Sequence, residues 1–172
     1  MQNSISYFLR KGRIDDLLRK KKRESITVLC FHRITDDVNY VWPAVPVMVF
    51  RKIMMHLKKH YEVILPSGYE MKTSKPKAIV TFDDGFHDFM EYAVPVLTDL
   101  DLPAVHHVVV ESVMDHLPNW TYRINLVVED HLKSGKSLSI SAPGISFEKK
   151  VDLKNAEKVA MNIVHFMKDI PI

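Results

Sequence analysis

Apolar positions along the chain alternate between two spacings, and the switches mark out short strands separated by helices. Residues 26–31 form an apolar run of strand length, Ile-Thr-Val-Leu-Cys-Phe. Residues 47–60 place Phe50, Ile53, Met54 and Leu57 on one helical face. A short strand is expected at 61–65, closed by Pro66, Ser67 and Gly68, and another at 78–82. Residues 88–100 read as helix, kinked or divided by Pro95, which has no N–H for the helical ladder. A valine-rich strand at 103–110 and a helix at 120–133 follow. Residues 137–149 read as a β-hairpin turning at Ala142, Pro143 and Gly144. A last helix, capped by Asp152 and stopped by Pro171, carries Ala156, Val159, Ala160, Ile163, Val164 and Met167 as an i, i+3, i+4 stripe. Alternation of strands and helices predicts an α/β fold with a mainly parallel sheet.

Composition adds the compartment. Of 172 residues, 47% are hydrophobic and 26% charged, the make-up of one soluble globular domain. No apolar run approaches the roughly 18 residues that cross a bilayer. The N-terminal charges are not followed by the apolar core of a signal peptide, so the cytoplasm is the expected location. Cys30 is the single cysteine, which excludes an internal disulfide; within an apolar strand it is expected to be a buried, inert thiol. Charge is uneven. Residues 1–23 hold eight Lys/Arg against two Asp, so the net +3 lies in a basic N-terminal arm, residues 1–25, and the remainder is acidic. That arm reads as helical, with Tyr7, Ile14 and Leu18 as a packing stripe weakened by Gly12. A solvated helix end is the preferred reading and peripheral contact with an anionic membrane the alternative. Nucleic acid is not expected, because no aromatic interleaving or recognition motif accompanies the charge.

The candidate chemistry lies in Lys77-Ala78-Ile79-Val80-Thr81-Phe82-Asp83-Asp84-Gly85, an apolar strand ending in two carboxylates and a glycine. Successive strand residues point to opposite faces, but Gly85 allows a sharp turn that can bring both carboxylates to the mouth of a sheet or barrel. Adjacent carboxylates repel, so a metal ion or a proton is the expected compensation. A solvated Asp-Asp-Gly turn is the plain alternative.

Thr81-Phe82-Asp83-Asp84-Gly85 resembles the first motif of the polysaccharide deacetylases, the family of the NodB-like domain. Leu29-Cys30-Phe31-His32-Arg33-Ile34 resembles the opening strand of that family, and residues 50–63 its next helix and strand. Glu91-Tyr92-Ala93-Val94-Pro95-Val96-Leu97 and Leu102-Pro103-Ala104 resemble the helix after the motif and the start of the following strand. The resemblance runs from 26 to 110 and continues weakly into Asn119-Trp120-Thr121-Tyr122-Arg123, where some relatives carry a helical insertion. It implies the N-terminal part of a distorted (β/α) barrel at 26–172, with a helical and hairpin insertion at about 119–150. It also implies a metal-dependent hydrolase that removes acetyl groups from an N- or O-acetylated glycan. Carried over, Asp83 is the general base and Asp84 a ligand of a divalent metal, zinc in this reading. The family's two histidine ligands come from a later His-[Ser/Thr]-x-x-His, and none follows Asp84 here. The ligand set is therefore incomplete, and the chain is read as the N-terminal part of a deacetylase or a truncated derivative of one.

The chain offers other histidines as substitutes. His56 and His60 are i, i+4 on a helix, but a solvated face is the preferred reading. His106 and His107 alternate faces, so at most one can face the site, and a core histidine is preferred over a ligand. His32, at the end of the first strand, is a candidate for contact with substrate or an aspartate, and a simple strand-end histidine is the equal alternative. His87 reads as incidental, and Trp42 and Trp120 as sugar-stacking or, more simply, packing residues. No site for an organic cofactor is expected. The alternative function is a degenerate member of the same fold that binds glycan or protein without catalysis. Phosphoryl transfer ranks last, since neither the receiver nor the Asp-x-Asp phosphatase pattern is present.

Overall fold

A computed structural model describes residues 25–142 and 145–168. The expected arm with Tyr7, Ile14 and Leu18, the turn residues Pro143 and Gly144, and Pro171 lie outside them.

The motif strand is the centre of a parallel sheet. β1 (Ile26–Phe31) pairs with β3 (Lys77–Phe82) along its whole length, from Ile26 opposite Lys77 to Phe31 opposite Phe82. On the other side β3 takes β2 (Glu62–Val63) near its start and β4 (Val105–His106) near its end. The sheet is open, with β1 at its edge. Between β1 and β2 runs α1 (Val47–His60), and between β3 and β4 a wide π turn (Phe89–Ala93) leads into α2 (Val94–Asp99). The helix expected at 88–100 is thus divided, because Pro95 offers no N–H and the backbone widens just before it.

Period-two alternation sorts β3 into two faces, although the whole strand from Ala78 to Phe82 is buried. Ala78, Val80 and Phe82 face the helices and join Phe50, Met54 and Leu57 of α1 and Val96 and Leu97 of α2 in one core. Phe50 is fully buried, edge-on to Phe31 at 5.3 Å and to Phe82 at 5.7 Å. Each such aromatic contributes about 1.5–3 kcal/mol by leaving water.

Two expected strands are shorter than their apolar runs. β2 stops at Val63 because Pro66 opens a tight turn. The run at 103–110 pairs only at Val105 and His106, and Val110 begins a short helix, α3 (Val110–Asp115). Its neighbour β3 ends at Phe82, and a strand extends no further than the partner that bonds it.

A second core lies beyond. α4 (Trp120–Ser134), the hairpin of β5 (Ser137–Ala142) and β6 (Ile145–Lys150), and α5 (Ala156–Lys168) bury Val128, Leu138, Val151, Val159, Ala160 and Ile163. Asn119 caps α4, its side chain accepting from the Tyr122 N–H at 2.8 Å. Asp152 lies a turn before α5 and accepts from the N–H groups of Lys154 and Asn155. Of the expected stripe, Ala156, Val159, Ala160 and Ile163 are buried, while Met167 lies at the exposed end. Buried Glu129 of α4 accepts from the Tyr40 N–H at 3.2 Å and the Val41 N–H at 3.3 Å, and pairs with Lys133 at 3.2 Å. The two N–H bonds go to one oxygen and the Lys133 ammonium stands beside the other, which offsets the cost of burying the carboxylate and pins the segment carrying Trp42 to α4.

Candidate functional site

The register of the sheet builds the site. Phe31 is opposite Phe82, and Phe82 is opposite His106, so three parallel strands end level. The next residues, His32, Asp83 and His107, therefore emerge together at the carboxyl edge, where parallel α/β sheets place ligands. Two further bonds carry the ladders one step on: the Asp83 N–H donates to Phe31 C=O at 2.9 Å, and the His107 N–H to Phe82 C=O at 2.8 Å. The chain then turns through two left-handed residues, Asp84 at φ 72° and Gly85 at φ 71°. Aspartate tolerates this region. Glycine at 85 is required twice, since an added Cβ would also lie 2.9 Å from Cγ1 of Val108.

Asp83 is held at both oxygens. Nδ1 of His107 lies 2.8 Å from Oδ1, and the Cys30 thiol donates to Oδ2 at 3.1 Å. An ionised carboxylate only accepts, so Nδ1 of His107 carries the hydrogen. The hydrogen bond from His107 first, and that from Cys30 second, hold the Asp83 carboxyl below its ordinary range. The Cys30 thiol moves the other way, raised by partial desolvation of the sulfur and by the neighbouring Asp83 carboxylate.

Two expectations fail here. Cys30 is exposed, not buried, because β1 is an edge strand and Cys30 shares with Val28 the face that α1 does not cover. His106 and His107 separate as period two demands, but the pair is not simply core. His106 stacks on Phe89 at 4.0 Å, and burial holds its imidazole below the usual value. His107 is 62% exposed and is the partner of Asp83. A usable signal was the spacing of Cys30 and His32, two residues apart on an extended strand and hence on one face. The role of His107 required the register.

His32 is half-buried, its ring edge-on to Trp42 at 5.4 Å. Donor atoms of Cys30, His32 and Asp83 all lie within 4.8 Å of one another, and this is the group of three metal-binding side chains among the described residues. Asp84 is not part of it. His56 and His60 are half-buried on α1, their rings 4.6 Å apart, so the expected solvated face is not what is found, and they too lie outside the group. His87 is exposed and 3.7 Å from Glu91.

A clamp supports the motif loop. Arg33 Nε donates to Asp88 at 2.8 Å and Nη1 to the Tyr122 hydroxyl at 2.8 Å. Its guanidinium also lies over the rings of Phe86, at 5.5 Å, and Tyr122, at 5.2 Å. Trp42 meets Phe86 at 5.8 Å and Tyr122 at 6.1 Å. Nothing in the sequence announced this clamp, which joins residues far apart in the chain. Trp120, at the start of α4, is 41% exposed.

No protein-family model matches the chain, and no curated protein matches it. Solved structures do. The chain is similar to polysaccharide deacetylases. IcaB from Ammonifex degensii is 24% identical over 51% of this chain and 39% of that one, with a TM-score of 0.45. The Streptococcus pyogenes deacetylase PplD is 24% identical over 60% of this chain and 50% of that one, at 0.47. A polysaccharide deacetylase from Bacillus cereus is 26% identical over 61% and 36%, also at 0.47. The chain thus spans half or less of the length of these structures. Among the described residues no helix is long and apolar enough to cross a membrane.

Proposed function

We propose that the chain is part of a polysaccharide deacetylase-type hydrolase that removes acetyl groups from an N- or O-acetylated glycan. In this reading the open sheet forms the first part of a distorted (β/α) barrel over 26–172, with an insertion at about 119–150. One observation carries it: Asp83, at the carboxyl edge of a parallel sheet, is ionised and oriented by His107 and Cys30.

Asp83 is the general base. Each of its oxygens has two lone pairs, so a water can still donate to an oxygen already bonded to His107 or Cys30. The water loses its proton to Asp83 as its oxygen attacks the acetyl carbonyl. His107 then steadies the carboxylate as it becomes a carboxylic acid. The tetrahedral adduct collapses by breaking the C–N or C–O bond, the departing amine or alkoxide taking up that proton from Asp83 and acetate leaving. His32 and Trp42 pack edge to face at the same rim, and in this reading they meet the substrate. The divalent metal implied by the resemblance, zinc with Asp84 as ligand, does not fit the described residues, because Asp84 belongs to no three-donor group among them. Asp84 remains our proposed ligand for that metal only where further imidazoles reach it, and no step above depends on it.

Acetate release from a chitooligosaccharide and from an O-acetylated glycan, measured on the native protein and its Asp83→Asn form, tests the reading. Loss of a general base is expected to slow release by about 10²–10⁴-fold. Undiminished release by Asp83→Asn, or none by the native protein from either substrate, overturns it.

A further inference from the structure

We propose that Cys30, His32 and Asp83 form a binding site for a borderline-soft divalent cation of the zinc class. The three side chains offer one thiolate, one imidazole and one carboxylate, the donor types that such an ion takes. Their ligand atoms already lie within 4.8 Å of one another, with Cys30 Sγ and Asp83 Oδ2 3.1 Å apart. Tetrahedral bonds of about 2.3 Å to sulfur and 2.0–2.1 Å to nitrogen and oxygen place donors about 3.3–3.6 Å apart. The Cys30–Asp83 pair must open by a few tenths of an ångström and the imidazole settle at the same spacing, movements within the reach of side-chain torsions. Room exists for them, since Cys30 is exposed and His32 and Asp83 are half-buried.

The backbone supplies the preorganisation. Cys30 and His32 share one face at the end of β1, and the parallel register brings Asp83 level with them from β3. Outside the donors, His107 holds the second oxygen of Asp83 and Trp42 packs against the His32 ring. Metal sites commonly depend on such orienting neighbours. Three protein ligands leave a fourth position open to water. On binding, the thiol proton that now points at Asp83 leaves to solvent and a sulfur–metal bond replaces the S–H bond. A thiolate, a carboxylate and a dication sum to zero charge, so the filled site is neutral.

This site rests on side-chain placement and goes beyond the hydrolase reading. An ion there occupies Asp83, so it would oppose the base role proposed above. Cys30 is the single cysteine, so every thiol signal reports on this position. The experiment titrates the full chain with Co²⁺ and follows sulfur-to-cobalt charge transfer in the near ultraviolet, with Zn²⁺ protection of the thiol from alkylation as a second readout. One equivalent of Co²⁺ is expected to give the charge-transfer band, and Zn²⁺ to displace it. Cys30→Ser abolishes the band, and Asp83→Asn weakens binding more than Asp84→Asn does. His107→Gln is expected to raise the dissociation constant about 10-fold, as orienting neighbours do. Circular dichroism of each variant shows whether the fold is retained. No charge-transfer band with alkylation indifferent to Zn²⁺ overturns the proposal, and so does a band lost in Asp84→Asn but kept in Asp83→Asn. Neither readout measures acetate release, so failure here leaves the hydrolase reading standing, and the reverse holds.

Discussion

Gly85→Ala is expected to destabilise the protein by an amount that can be divided into two parts. At φ +71° the residue sits where an L side chain crowds its own carbonyl, which costs about 1–2 kcal/mol. The new Cβ also lies 2.9 Å from Val108 Cγ1 and 3.3 Å from Val108 Cα, an overpacking that costs about 1–3 kcal/mol. Alanine restricts the unfolded chain and returns about 0.4–1 kcal/mol, leaving a net loss of about 1–4.6 kcal/mol. Val108→Ala removes the closest atom and, because Val108 is 46% exposed, costs about 0.5 kcal/mol or less by itself. The double variant should therefore recover the steric part and keep the backbone part. Urea unfolding of the four proteins closes the cycle, and the coupling between the sites is expected to be about 1 kcal/mol or more. A Gly85→Ala cost below about 0.5 kcal/mol, or strictly additive variants, would refute the strained turn.

Two pH dependences should also be measurable. The depressed carboxyl of Asp83 means that the folded state binds fewer protons than the unfolded chain just below the ordinary value of 3.8, so its contribution to stability is complete above that pH and is lost as pH falls through the lower folded value. His107→Gln should shrink this loss in urea melts between pH 2 and 5, and an unchanged acid limb would count against the His107 bond. His106, depressed by burial, binds fewer protons folded than unfolded below its ordinary 6.5, so stability should fall as pH drops below that value. His106→Phe should flatten the slope between pH 7.5 and 5.5, and a slope that persists would show that another group causes it.

The local code was legible where one period dominated and a partner lay at full length. Strand β1 and helix α1 begin and end where their apolar patterns do. The run at 103–110 is equally apolar but pairs for two residues only, because its limit is the end of β3, a fact stored outside the segment. The same applies to the site. The Asp83-Asp84-Gly85 turn could be read from its own residues, since Gly85 marks the left-handed conformation. His107 could not, because its partner lies 24 residues away and only the register brings the two together. Cys30 misled because an apolar strand suggests two covered faces, whereas β1 is an edge strand with one face open.

That register also explains why so small a sheet edge gathers so much chemistry. In-register parallel strands deliver the residues just past their ends to one line, here His32, Asp83 and His107. A slip of one residue in β1 would turn Cys30 and His32 to the helix face and bring Phe31 out in their place. The buried positions oppose such a slip, since Phe31, Phe50 and Phe82 form a mutually packed set that needs Phe31 on the inner side. The core aromatics therefore fix the register on which the site depends. A substitution that loosened Phe50 would be felt at Asp83 through the strand ends, although Phe50 is none of the residues that hold the carboxylate.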